Sequence, residues 1–75
     1  MKVSIFKTNK IIYKNNAKSV VLPGDDGEVC LGDFHQAFLC CMKKGFIHID
    51  GKFSFLIRHG IAKMWRNELV ILVEQ

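Results

Sequence analysis

Apolar residues along this chain never hold a helical spacing for three turns; short segments rich in Val, Ile and Phe recur instead between turn dipeptides. That pattern predicts strands at Lys2–Phe6, Ile11–Lys14, Ser19–Leu22, Glu28–Leu31, His35–Cys41, Phe46–Asp50, Phe53–Arg58, Ile61–Arg66 and Leu69–Glu74. Breaks are expected at Pro23-Gly24, Asp26-Gly27, Gly32-Asp33, Lys44-Gly45, Asp50-Gly51 and Arg66-Asn67, because Gly, Pro, Asn and Asp favour turn geometries. Asp50-Gly51 between two strand-like runs is the strongest hairpin signal, a two-residue turn with positive φ. Nine short strands in 75 residues leave room only for tight turns.

Alternation predicts which faces are covered. Phe53, Phe55 and Ile57 line one apolar face, and Ser54 and Arg58 suit solvent on the other, although Leu56 does not. The last segment is apolar on both faces, through Leu69, Ile71 and Val73 on one side and Val70 and Leu72 on the other. It fits a strand buried between two layers or one that meets a partner. Two packed antiparallel sheets satisfy these constraints better than one open sheet, so the expected fold is a small all-β antiparallel sandwich in a single domain over residues 1–75.

Size and charge narrow the function. A chain of 8.6 kDa is expected to expose about 4,700 Å² when folded against about 12,500 Å² when extended, which allows one core and excludes a multidomain enzyme. No run of 18 apolar residues is present, and the opening segment alternates Lys with apolar residues, so it reads as structure and not as a targeting peptide. The net charge of +4 is segregated: five lysines and no acid up to Lys18, then Asp25, Asp26, Glu28 and Asp33 with no base up to Met42. Such a distribution bears on the choice of partner more than on fold.

Candidate chemistry is sparse. His35, His48, His59, Cys30, Cys40 and Cys41 supply nucleophile, base or metal-ligand types without a local signature. Cys40 and Cys41 point to opposite faces of a strand and cannot jointly grip one metal, so the cysteines read as inert core residues in a reducing compartment. His59, just before Gly60, reads as a turn residue. Phosphate-binding and nucleotide fingerprints are missing, and neither a metal nor a cofactor is expected. A basic β-barrel that binds nucleic acid is the alternative reading, since the pI is about 9.2. Only two of the eleven bases are Arg, and the Phe residues alternate as a core face would, so lysines guarding strand edges are the plainer account and no nucleic-acid partner is expected.

The most specific stretch runs from Lys18 to Ile49. Val20, Val21 and Leu22 form an apolar strand, Gly24, Gly27 and Glu28 a G-x-x-G-E turn, His35 and Leu39 a histidine segment, and Lys43, Gly45 and Ile49 a closing K-x-G-x-x-x-I strand. This order resembles the amino-terminal β-sandwich domain of the epsilon subunit of F-type ATP synthase, called delta in mitochondria. The opening KVSIFKTNKIIYKNNAKSVVLP and the closing FLIRHGIAKMWRNELVILVEQ are similar to the family's first and last strands. The chain departs from the family at Gly32 to Ala37. Both prolines of the family's L-P-G-H-A-P are missing there, and Phe34 stands where the glycine before the histidine belongs. Cys30 replaces the last glycine of the turn, and His59 the first of a pair.

The resemblance implies a non-catalytic central-stalk subunit that links the gamma subunit to the c-ring and turns with them as proton flow drives ATP synthesis. It implies peripheral attachment on the cytoplasmic side of a bacterial inner membrane. It also implies that a chain ending at Gln75 lacks the family's carboxy-terminal helical hairpin, and with it the inhibitory and ATP-binding roles of that hairpin. Family contacts with the c-ring correspond here to Glu28 and His35, and Asp33 and Phe34 complete the expected partner-interface set.

Overall fold

Turn chemistry decides where the strands end. The computed structural model describes residues 1–75 and contains nine strands: β1 (Lys2–Lys7), β2 (Lys10–Asn16), β3 (Ser19–Gly24), β4 (Gly27–Gly32), β5 (Phe38–Met42), β6 (Gly45–Ile49), β7 (Phe53–Ile57), β8 (His59–Trp65) and β9 (Glu68–Glu74). Each expected strand forms, with three local corrections. Pro23-Gly24 does not break the chain: both residues lie inside β3, and the turn falls on Asp25 and Asp26. Gly24 belongs to that crossing because a Cβ there would stand 2.7 Å from the Gly27 carbonyl oxygen. The fifth strand starts at Phe38 and not at His35. His59 is no turn residue; it opens β8, opposite Glu74.

Positive φ marks the hairpins. Asp50 and Gly51 sit at φ 54 and 63, and the Lys52 N–H donates to the Ile49 carbonyl at 2.9 Å. The ladder resumes only with the Ile49–Phe53 pair, so the loop is one residue longer than a two-residue turn. Arg66 and Asn67, at φ 49 and 61, make the turn between β8 and β9.

The layers are not two separate sheets. One hydrogen-bonded sheet runs β2-β1-β9-β8-β5-β3-β6-β7, with β4 on β3, and curls over itself to give the two layers of the sandwich. The fold passes from one layer to the other at the single Gly24–Met42 pair between β3 and β5. Pairing is antiparallel except between β1 and β9, which run parallel. The far edges meet through aromatic rings: Tyr13 on β2 lies 5.8 Å from Phe53 and 5.7 Å from Phe55 on β7, at tilted, edge-on angles that favour ring pairs.

Sixteen buried residues form one core between the layers. Val3, Ile5, Ala62, Met64, Leu69 and Ile71 come from the first layer, and Val20, Leu22, Leu31, Ile47, Ile49 and Ile57 from the second. Folding leaves 4975 Å² exposed, close to what the chain's mass implies. Strand β9 is buried on one face only: Leu69 and Ile71 are fully covered, whereas Leu72 is 52% exposed. Of the two readings of its double apolar pattern, burial between layers is therefore corrected. The face rule for β7 holds in a graded form, from buried Ile57 to Phe53 at the rim. No helix is long and apolar enough to cross a membrane.

Candidate functional site

Strand β4 runs the length of the sandwich and separates the expected interface residues. Glu28 lies at its start and Asp33 just past its end, about 16 Å apart at roughly 3.3 Å per residue. The structure thus brings Asp33, Phe34 and His35 together in the β4–β5 loop and leaves Glu28 at the other end.

At the Glu28 end, the β3–β4 hairpin is tied to the neighbouring strand by main-chain bonds. Asp25 N–H donates to the Cys41 carbonyl at 3.0 Å, and Lys43 N–H donates to the Pro23 carbonyl at 2.9 Å. Glu28 pairs with Pro23 across the hairpin and is exposed, as are Asp25 and Asp26. The three acidic residues line an open cleft of about 330 Å³ together with Val29 and residues of β5, Phe38 to Cys41. Burial pushes the Cys40 thiol pKa up, with smaller contributions from Cys41, Asp25 and Asp26, because a thiolate there would lose water and face like charge. Cys30 and Cys41 are exposed, not core residues as the sequence reading had them. No three His, Cys, Asp or Glu side chains converge in a metal-binding group.

At the opposite end, Asp33 and Asp50 each have an internal partner. The amino-terminal ammonium of Met1, itself buried, donates to the Asp33 carboxylate and to the Ala17 carbonyl. The Asp50 carboxylate accepts from the backbone N–H groups of Lys18 at 2.8 Å and Ser19 at 2.9 Å. Those bonds, that of Ser19 first and that of Lys18 second, hold its pKa below the ordinary carboxylate range. Asp33 is therefore a structural tie as much as an interface candidate.

Phe34 lies between these ties at φ 59 with its side chain 83% exposed. An L-residue in that left-handed region costs about 1 to 2 kcal/mol. The conformation is held because the Phe34 N–H donates to Asn67 Oδ1 at 2.8 Å, across the β8–β9 turn. The backbone there is one that favours glycine, yet it carries an aromatic side chain. His35 is also exposed; its Nδ1 lies 3.0 Å from the Gln36 carbonyl and its ring meets Phe38 edge-on at 5.3 Å.

Sequence reasoning missed Trp65, Arg66 and Asn67 as companions of this loop. Trp65 is 55% exposed, and the Arg66 guanidinium lies 5.4 Å from its ring centroid, within cation–π range. A lone Trp beside an Arg-Asn turn was the available signal. The Phe residues also depart from a core-only pattern, since Phe34, Phe46 and Phe53 are all about half or more exposed.

Register exposes a second surface that the pattern only hinted at. Ile11 pairs with Phe6, Phe6 with Leu72, and Leu72 with Ile61, so these four side chains form a row across β2, β1, β9 and β8 on the outer face of the first layer. Ile11, Leu72 and Ile61 are 53%, 52% and 38% exposed. The next row on that face carries Lys14 and Lys63, with Ser4 and Val70 between them.

The whole chain, residues 1–75, matches the family model described as the ATP synthase, Delta/Epsilon chain, beta-sandwich domain. It is 31% identical over 78 residues to the ATP synthase epsilon chain of Sulfurimonas denitrificans, covering 99% of this chain and 60% of that one. The ATP synthase epsilon chain of Nitratiruptor sp. is 33% identical over 78 residues with the same coverage. The chain therefore spans about 60% of the length of these relatives. Among solved structures, a chain of the Tetrahymena thermophila mitochondrial ATP synthase central stalk and c-ring superposes with a TM-score of 0.84 at 14% identity, covering 99% of this chain and 63% of that one. A chain of the Euglena gracilis mitochondrial ATP synthase gives 0.86 at 13% identity over 97% of this chain and 49% of that one.

Proposed function

The chain belongs to the ATP synthase delta/epsilon family through its β-sandwich domain, and from that premise we propose that it is a non-catalytic central-stalk subunit joining the gamma subunit to the c-ring of an F-type proton-translocating ATP synthase. Its part in coupling proton transport to ATP synthesis is mechanical. A stiff body transmits torque only through specific, complementary interfaces, so the surface and not the interior carries the function.

One observation carries this reading. The core is complete without the row Ile11, Phe6, Leu72 and Ile61, yet that row stays on the outside, across four adjacent strands. Scattered surface apolar residues need no explanation, but a contiguous row on one sheet face marks a protein contact. The gamma subunit covers that face in this proposal, and the Glu28 corner, with Asp25 and Asp26, meets the polar loops of the c-ring. Phe34 and His35 contribute from the opposite end. The subunit then sits peripherally on the cytoplasmic side of the inner membrane, a location supported by the bacterial relatives.

Co-purification with the gamma subunit tests the proposal. Stable association is expected, and L72D is expected to weaken it by about tenfold or more, the scale of a central apolar contact. Failure of the wild-type chain to associate, together with affinity for single-stranded nucleic acid that falls steeply with salt, would replace the stalk reading by the nucleic-acid one.

A further inference from the structure

We infer that the α-amino group of Met1 is a structural cation of this fold, and that acylation of this amine, the formyl group of bacterial initiation above all, weakens the native state until hydrolysis removes it. The inference is about folding and is independent of the stalk reading.

The geometry around Met1 carries it. Met1 is 7% exposed and belongs to the core cluster, so its side chain and its amino group are both withdrawn from water. Its ammonium donates to the Ala17 carbonyl at 2.9 Å, and its own carbonyl accepts the Ala17 N–H at 2.9 Å, which extends the β1–β2 ladder by one pair beyond Lys2–Asn16. The same ammonium donates to the Asp33 carboxylate, 32 residues away, just past the end of β4. One nitrogen thus joins the start of β1, the β2–β3 connection and the β4–β5 loop. A charge is kept in such a place only where it is paired and hydrogen-bonded, and this one is both.

Acylation changes charge and donor count together. An ammonium has three N–H donors and a positive charge, whereas a formamide or acetamide nitrogen has one N–H and no charge. That one N–H can serve the Ala17 carbonyl or Asp33, but not both. The Asp33 carboxylate makes no other hydrogen bond or ion pair, and nearby Asp50 is occupied by the Lys18 and Ser19 N–H groups. Removing one member of a buried pair is costly because the other is left alone, although the 45% exposure of Asp33 moderates the cost. Space is not the obstacle, since an open hollow of about 660 Å³ lined by Asn16, Lys18, Asp33 and Asp50 adjoins Met1. What a formyl group takes away is electrostatic.

The reaction class that must act before the fold is complete is therefore hydrolysis of a terminal formamide. Water adds its oxygen to the formyl carbon, the C–N bond breaks, and the proton released by formic acid passes to the freed amine, leaving formate and the ammonium that Ala17 and Asp33 receive. Excision of the whole residue is no substitute, because it would empty a core position and move the charge to exposed Lys2.

The test uses the full chain made by chemical synthesis with Met1 free, N-formylated or N-methylated. N-methylation adds a carbon but keeps the positive charge and enough N–H groups for both acceptors. The N-formyl chain is expected to melt about 5 to 10 °C below the free chain, and the N-methyl chain within about 2 °C of it. In D33A, where no carboxylate is left unpaired, formylation is expected to lower the melting temperature by about half as much. The intact mass of the chain isolated from its own cells is expected to be that of an unmodified Met1. Equal melting of the free and formylated chains would overturn the inference. So would an N-methyl chain that melts as low as the formylated one, since the loss would then be one of bulk, and that arm needs no side-chain substitution. A cost of formylation undiminished in D33A would remove Asp33 as the partner and the inference with it. A natively folded chain from cells with an acyl group, or further residues, on the Met1 nitrogen would also refute it. The stalk reading survives each of these results, because it stands or falls on association with the gamma subunit.

Discussion

The two ends of this sandwich are built from similar turns, yet they use their acids in opposite ways. At the β3–β4 end, Asp25, Asp26 and Glu28 are exposed and hold no ion pair, and the hairpin is secured by main-chain bonds alone. At the β4–β5 end, Asp33, Asp50 and Asn67 are consumed in fixing the amino terminus, the β2–β3 connection and the Phe34 backbone. The lesson is that an acid in a turn is neither a binding group nor a structural one by type. What decides is whether the fold brings an N–H or an ammonium within reach. At the first end the carboxylates stay without an internal partner, and at the second the acids are tied up while Phe34, Trp65 and Arg66 stay exposed.

Substitutions that separate fold from surface would break or sharpen that contrast. The largest effect on stability is expected at Gly24, where a Cβ would meet the Gly27 carbonyl oxygen at 2.7 Å and Val29 at 3.1 Å. G24A is expected to destabilise by about 2 to 3 kcal/mol, read from denaturant unfolding, as backbone has no flexible end to yield. Next comes Asp33. D33A leaves the buried Met1 ammonium with the Ala17 carbonyl alone, and an expected loss of about 1 to 2 kcal/mol allows for the partial exposure of the carboxylate.

Asp50 gives a pH signature. Its folded pKa lies below the usual carboxylate value, so the ionised form favours the folded state; the contribution is present above the unfolded pKa and is lost as pH falls through the folded one. Melting curves of wild type and D50N should therefore differ at neutral pH and converge in acid, below the ordinary carboxylate range. A constant gap at all pH values would mean that the two backbone N–H groups do not discriminate charge. The smallest effect on stability is expected for E28K, within about 0.5 kcal/mol of wild type. A larger loss would place Glu28 among the structural acids and erase the contrast between the ends.

Much of the fold was legible because local chemistry set it. Asp50-Gly51 and Arg66-Asn67 turn where their positive φ values allow, and period-two alternation identified the apolar face of β7, which runs from buried Ile57 to half-exposed Phe53; for β9, apolar on both sides, it could not choose the face. What was not legible depends on contacts remote in sequence. His35–Ala37 reads as the start of a strand, but the preceding residues Asp33 and Phe34 are held by Met1 and Asn67, and the ladder begins only at Phe38. Pro23-Gly24 reads as a turn, but β5 passes close enough to keep it extended. The parallel β1–β9 pair and the curl of one sheet into two layers have no local signature at all. For the candidate interface the same rule applies: Glu28 is where its motif places it, whereas the role of Asp33 and the grouping of Phe34 with Trp65 and Arg66 follow from topology.

Coupled proton pumping offers the most direct test of the central claim. Membranes carrying an ATP synthase depleted of this chain, then supplied with it, should regain ATP-driven proton uptake, and supply of E28K should restore it less well despite a native melting curve. Full coupling in the depleted membranes, unaltered when the chain is added, would contradict the account.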